Sequence, residues 1–161
     1  MSSSTHNSAN SDTMISRPLA PPLLELRNLS THYVSASGTR VVRAVEDVSL
    51  TLHARETLGI VGESGSGKST LALTMLRVLP PAARIVSGQM LFEGENLVQK
   101  SEEDMRKVRG KRIAMILQDP MASLNPRMRV RGIISEPLVT NGDLPAATVR
   151  DRVREMLDLV G

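Results

Sequence analysis

Residues 62–70 read Gly62-Glu63-Ser64-Gly65-Ser66-Gly67-Lys68-Ser69-Thr70, a complete G-x-x-x-x-G-K-[ST] string. Such a string works only where a strand enters it and a helix leaves it. Both are written into the flanks. Glu56 to Val61 is a short, largely apolar run of strand type. Behind the loop, Leu71, Met75 and Leu79 recur at i, i+4 and i+8 ahead of Pro80-Pro81, which predicts a helix with one apolar face. Gly62, Gly65 and Gly67 let the backbone curl so that successive N–H groups point inward, with no Cβ to hold a phosphate away. The positive end of the following helix faces the same anion. In that pattern Lys68 reaches the β- and γ-phosphates and the Ser69 hydroxyl takes a position on Mg²⁺. Thr70 adds a donor on the α-phosphate side. The expected ligand set is Gly62, Ser64, Gly65, Ser66, Gly67, Lys68, Ser69 and Thr70, and the expected ligand is a nucleoside triphosphate with Mg²⁺.

Composition narrows what surrounds the loop. With 161 residues the chain is long enough for one domain with a core. Tyr33 and Phe92 are its only aromatics, so Leu, Val, Ile, Ala and Met must fill that core. A net charge of +3, without a basic run interleaved with aromatics, gives no reason to expect nucleic acid as a partner. The absence of cysteine excludes disulfides and thiolate metal sites. No apolar stretch reaches the length of a membrane span, so membrane association is expected to run through a partner. Residues 1–22 are rich in Ser, Thr, Asn and finally Pro, and read as a disordered leader.

From Leu23 the pattern is structured. Leu24 to Val34 suggests a first strand and residues 35–39 a turn. Val41 to Leu52, with Val45, Val48, Leu50 and Leu52, suggests a second strand, and Ser87 to Phe92 a third, ended by Glu93-Gly94. Ser101 is placed to cap a polar helix to about Arg109, with Glu102/Arg106 and Glu103/Lys107 at i, i+4. Ile113 to Leu117 is wholly apolar, the mark of a strand covered on both faces. Val149, Val153, Met156 and Val160 form one helical stripe, closed by Gly161.

Two strings carry a family resemblance: Val61 to Ser69, with Glu63 inside the loop, and Gln118-Asp119-Pro120-Met121-Ala122-Ser123-Leu124-Asn125-Pro126. Together they resemble the ATP-binding subunits of ABC transporters, nearest the group serving importers of peptides, nickel and glutathione-like substrates. The resemblance covers residues 23–161 and implies an α/β fold. Its parts are a P-loop NTPase core with a parallel sheet, an N-terminal antiparallel β subdomain, and the start of a helical subdomain from about residue 127. It implies that Gln118 is the Q-loop glutamine, a catalytic residue that binds Mg²⁺ or the attacking water through a neutral amide oxygen. Alone, a strand-end glutamine is a solvated terminus; the run that follows it changes the reading. Residues 118–130 become the expected contact with integral membrane permease subunits. A second ATPase subunit is the other expected partner, at the cytoplasmic face of the membrane. Tyr33 resembles the A-loop aromatic that stacks on adenine, though a lone strand tyrosine is equally a core residue.

The chain departs from the family pattern twice. Arg55 stands where Gly is usual; if that turn needs φ > 0, Arg costs about 1 kcal/mol. These 161 residues also contain no L-S-G-G-Q signature, no apolar strand ending in Asp-Glu and no switch histidine. The expectation is therefore a truncated nucleotide-binding domain that binds ATP and scarcely hydrolyses it, because charge stabilisation of phosphoryl transfer is lost with those groups. The missing central strand would leave an apolar sheet edge exposed. A remnant that binds nucleotide only, and a soluble ABC ATPase outside transport, are the alternative readings.

Overall fold

The computed structural model describes residues 20–119, 121, 124–140, 142 and 144–161. Most of the expected leader (1–19) lies outside them, as do Pro120, Ala122 and Ser123 of the second family string. Four strands form one antiparallel sheet in the order β2-β1-β3-β4: β1 Leu24–Val34, β2 Val41–Leu52, β3 Ala83–Phe92 and β4 Glu95–Asn96. Helix α1, Lys68–Leu76, crosses from β2 to β3. A 3-10 turn at Leu97–Gln99 leads to α2, Glu102–Val108, and then come α3, Val130–Thr140, and α4, Ala146–Val160.

The core is a cluster of Leu26, Leu29, Val45, Leu71, Met90, Phe92, Leu97, Met105 and Val108. Strict alternation does not produce it. Leu26 and Leu29 are an odd number apart, as are Val45 and Val48, yet all four touch one core. Each odd step is absorbed by a residue in the left-handed region: Asn28 at φ 48° in β1 and Asp47 at φ 51° in β2. A bulge inserts one residue and returns the next side chain to the buried face. The bulges line up. Asn28 Nδ2 donates to Asp47 Oδ1 at 2.7 Å, and Asp47 N donates to Ser30 Oγ at 2.9 Å. Gly88 of β3, at φ 91°, completes the line: a Cβ there would sit 2.4 Å from Asn28 O and 2.5 Å from Leu29 Cα. The third strand can join the bend only as glycine.

Helix α1 stops one turn early. Arg77 turns left-handed at φ 52°, and the N–H groups of Arg77 and Val78 return to Thr74 O and Leu73 O. This ends the helix as a glycine C-cap would, so Leu79 lies beyond it and the buried face is Leu71, Thr74 and Leu76. Ser101 does cap α2, its Oγ accepting from Asp104 N at 3.1 Å. Lys107 lies 3.9 Å from Glu103, as spaced, while Glu102 turns from Arg106 to pair with Arg109.

The largest departure concerns the parallel strands. Residues 56–61 and 114–117 are not in a ladder, and the described residues contain no parallel pairing beyond one isolated bridge, Arg109 to Ile113. Val61 is 93% exposed and Ile116 90%. An apolar segment becomes a strand only when neighbours take up its backbone N–H and C=O groups, and among the described residues these two segments have no such neighbour.

Candidate nucleotide-binding site

Loop 62–70 sits where β2, the 56–61 segment and α1 meet. Gly67, at φ 92°, precedes the first residue of α1, and its carbonyl accepts from Leu71 N at 2.8 Å. Any other residue here would place its Cβ 2.0 Å from the Ala44 carbonyl oxygen of β2. Glycine is thus required twice, for the left-handed turn and for contact between loop and sheet. Gly65 is also left-handed, at φ 83°. Gly62 is held by its neighbour, since a Cβ there would come within 2.8 Å of Ser66 Oγ.

Lys68 folds back across this curl. Its Nζ donates to Gly62 O and Glu63 O, both at 2.7 Å, and to Ser66 Oγ at 3.1 Å. Three loop oxygens thus hold the ammonium at the mouth of the turn, where a phosphate would meet it. Ser64 and Ser69 are exposed. The first turn of α1 has no capping side chain and no acidic residue, so its N–H groups remain available to an anion. A space of about 460 Å³ opens beside the loop, lined by the apolar Val45, Leu50, Ile60 and Leu71 and by the polar Arg43, Glu46, Ser66 and Lys68.

Beneath the loop, hydroxyls fix the helix to the sheet. Thr31 Oγ1 and Thr74 Oγ1 lie 3.1 Å apart with both residues fully buried, and Thr74 Oγ1 donates to Thr70 O at 2.7 Å. Sequence reasoning missed this pair, although two threonines on otherwise apolar faces were its visible trace. Tyr33 is brought to the site: its hydroxyl is 3.4 Å from Thr70 Oγ1, joining the end of β1 to the end of the loop. The Gln118 side chain is exposed, and among the described residues no hydrogen bond links it to the loop. The described residues contain no cluster of His, Cys, Asp or Glu suited to a metal ion. A cation here would depend on hydroxyl and amide oxygens together with the nucleotide's own phosphates.

Comparison with known proteins decides the family. The sequence profile described as ABC transporter matches residues 45–161, which includes the loop, α1 and the segment bearing Gln118. The chain belongs to the ABC transporter family. It is 46% identical over 148 residues to a probable peptide ABC transporter ATP-binding protein of Sinorhizobium fredii, covering 91% of this chain and 44% of that one. It is 43% identical to the oligopeptide transport ATP-binding protein OppD of Bacillus subtilis, covering 86% of this chain and 38% of that protein. The chain therefore spans less than half the length of these relatives. Its fold matches a solved ATP-binding cassette, described as a dimer bound to ADP and Pi, with a TM-score of 0.70 at 23% identity over 84% of this chain and 56% of that one. These findings agree with the resemblance to ATP-binding subunits of the peptide importer group. The fold is that of an ABC ATPase cassette, with the antiparallel subdomain formed as expected. Arg55 is also accounted for: it occupies the left-handed region at φ 64°, in a turn closed by Glu56 N to His53 O at 3.2 Å.

Proposed function

We propose that the chain binds Mg-ATP at residues 62–70, and that the whole protein hydrolyses it to energise import of peptides or related solutes. One observation carries the binding half: the Lys68 ammonium is held by the carbonyls of Gly62 and Glu63 over a curl that Gly67 closes in the left-handed conformation. The residues fit the group, because the curl tolerates no Cβ at Gly67 and leaves the Ser69 hydroxyl and the helix N–H groups open. Lys68 would exchange loop oxygens for β- and γ-phosphate oxygens. Thr70 would add a donor, and the Tyr33 ring would lie against the adenine. Ser69 and Gln118 would hold Mg²⁺, which neutralises charge building on the transferred phosphoryl group. Gln118 would also orient the attacking water.

The transport half rests on membership of the family and on relatives whose names specify peptide and oligopeptide transport. It implies permease subunits and a second ATPase subunit as partners, at the cytoplasmic face of the membrane. Among the described residues no helix is long and apolar enough to cross a membrane, which is compatible with a peripheral position. For these 161 residues alone we propose binding with little turnover.

Calorimetric titration with Mg-ATP, followed by a phosphate-release assay, tests both parts. Saturable binding, lost on Lys68→Ala, with negligible turnover is the expected result. Robust Lys68-dependent turnover by the monomer would instead favour a self-contained P-loop enzyme. Binding unaffected by Lys68→Ala would remove the site from this loop.

A further inference from the structure

Two arginines tie the far end of the phosphate-loop helix to its surroundings, Arg109 by reaching its last carbonyls and Arg77, its C-cap, by reaching out to residues 97–100. Arg109 Nε donates to Leu76 O at 2.7 Å and Nη2 to Arg77 O at 3.0 Å, while Nη1 lies 2.5 Å from Glu102 Oε1. Arg77 Nη1 donates to Leu97 O at 2.9 Å and Lys100 O at 2.6 Å. The carbonyls at a helix C-terminus are unpaired and carry the negative end of its dipole, so a planar guanidinium suits them. The backbone on either side of Arg109 anchors the next segment. Arg109 bridges to Ile113, Gly110 N donates to Ile113 O at 2.9 Å, and Ile113 N donates to Val108 O at 3.1 Å. Gln118 follows five residues after Ile113. The Arg109 side chain therefore holds the C-terminus of the helix that begins with Lys68 and Ser69, while its immediate neighbours Val108 and Gly110 hold the base of the segment that ends at Gln118.

From this juxtaposition we infer that Arg109 is a positioning residue, coupling phosphate-loop occupancy to the order of residues 113–119. The inference rests on the nucleotide reading above. Helix α1 has nine residues and is about 13 Å long, short enough to move as one rod. When a phosphate draws Lys68 from the three oxygens that hold it, any shift of the rod reaches Leu76 and Arg77, where Arg109 takes it up. Side-chain networks of this kind carry coupling only if their removal abolishes it.

Amide hydrogen exchange on the full 161-residue chain, with and without Mg-ATP, tests this in wild type, Arg109→Ala and the milder Arg109→Lys. Binding affinity is measured in parallel. In wild type, Mg-ATP slows exchange across 113–119 by about fivefold. Arg109→Ala removes that nucleotide-dependent difference while affinity changes by less than about threefold. Arg109→Lys keeps the charge but not the fork, and loses most of the difference. A merely structural role would raise exchange equally with and without nucleotide, leaving the difference intact, and that result overturns the inference. So does a wild-type chain that binds Mg-ATP with no change at 113–119. A wild-type chain that fails to bind Mg-ATP overturns the functional reading, and the coupling with it.

Discussion

The antiparallel half and the two unpaired segments are built from similar apolar residues, yet one packs and the other does not. In β1 to β3 each strand finds a partner within the described chain, and Leu26, Leu29 and Met90 are almost wholly removed from water. Residues 56–61 and 114–117 are also rich in apolar residues but form no ladder, and Val61 and Ile116 stand in solvent. The α3–α4 pair resembles the second case: α3 has no buried residue among those described, and α4 buries only Val149 and Val153. Apolarity marks a segment as wanting a neighbour. Only topology supplies one. The phosphate loop lies at the boundary, its N-terminal strand unpaired but its glycines and helix anchored on the finished sheet.

The most damaging single change should be Gly88→Ala. It forces a Cβ onto the Asn28 backbone at positive φ, so a loss above about 3 kcal/mol in urea denaturation, or failure to fold, is expected. Next, Met90→Ala, at 0% exposure, should cost about 3 kcal/mol. Leu159→Ala in α4, 71% exposed, should cost within about 0.5 kcal/mol. Equal effects at Met90 and Leu159 would erase the contrast between the two regions. Arg55→Gly relieves a left-handed non-glycine residue and should stabilise by up to about 1 kcal/mol in the same assay. An unchanged midpoint would mean that turn stores no strain.

The smallest effect is one of pH. The hydrogen bond from Arg109 holds the Glu102 carboxyl below its ordinary value, helped by the nearby positive charge. A depressed folded-state value means the unfolded chain binds the proton first as pH falls. The contribution is therefore complete above the ordinary carboxylate value, about 4.3, and is lost as pH falls through the lower folded one. Denaturation midpoints measured from about pH 6 to pH 3 should fall less steeply in Glu102→Gln than in wild type. Parallel curves would show that the pair contributes nothing, as many exposed ion pairs do.

How far the sequence could be read follows the same division. The glycine loop, the limits of β1 and β2 and the Ser101 cap were legible because local chemistry dictates each of them. The bulges were not, since a period-two reading of Val45, Val48 and Leu50 hides an extra residue that only Asn28, Asp47 and Gly88 together disclose. A helical start near residue 127 was expected from the resemblance alone, because Pro137, which lacks the N–H a helix interior uses, obscured α3 in the residue pattern. The strand expectation at 113–117 was right about apolarity but lacked the pairing that turns it into structure. In the site, the motif pointed to Lys68 and the family resemblance to Tyr33, whose hydroxyl lies 3.4 Å from Thr70 Oγ1. The Thr31–Thr74 pair and the Arg109 grip depend on contacts more than thirty residues apart along the chain, which spacing cannot express.

The most direct test of the nucleotide seat is a Mg-ATP titration read by amide exchange across residues 62–71. Strong slowing is expected there in wild type and none in Lys68→Ala, with circular dichroism showing both chains folded. Slowing that survives Lys68→Ala, or that appears in α3–α4 and not in the loop, would contradict the claim that these glycines and this lysine form the nucleotide seat.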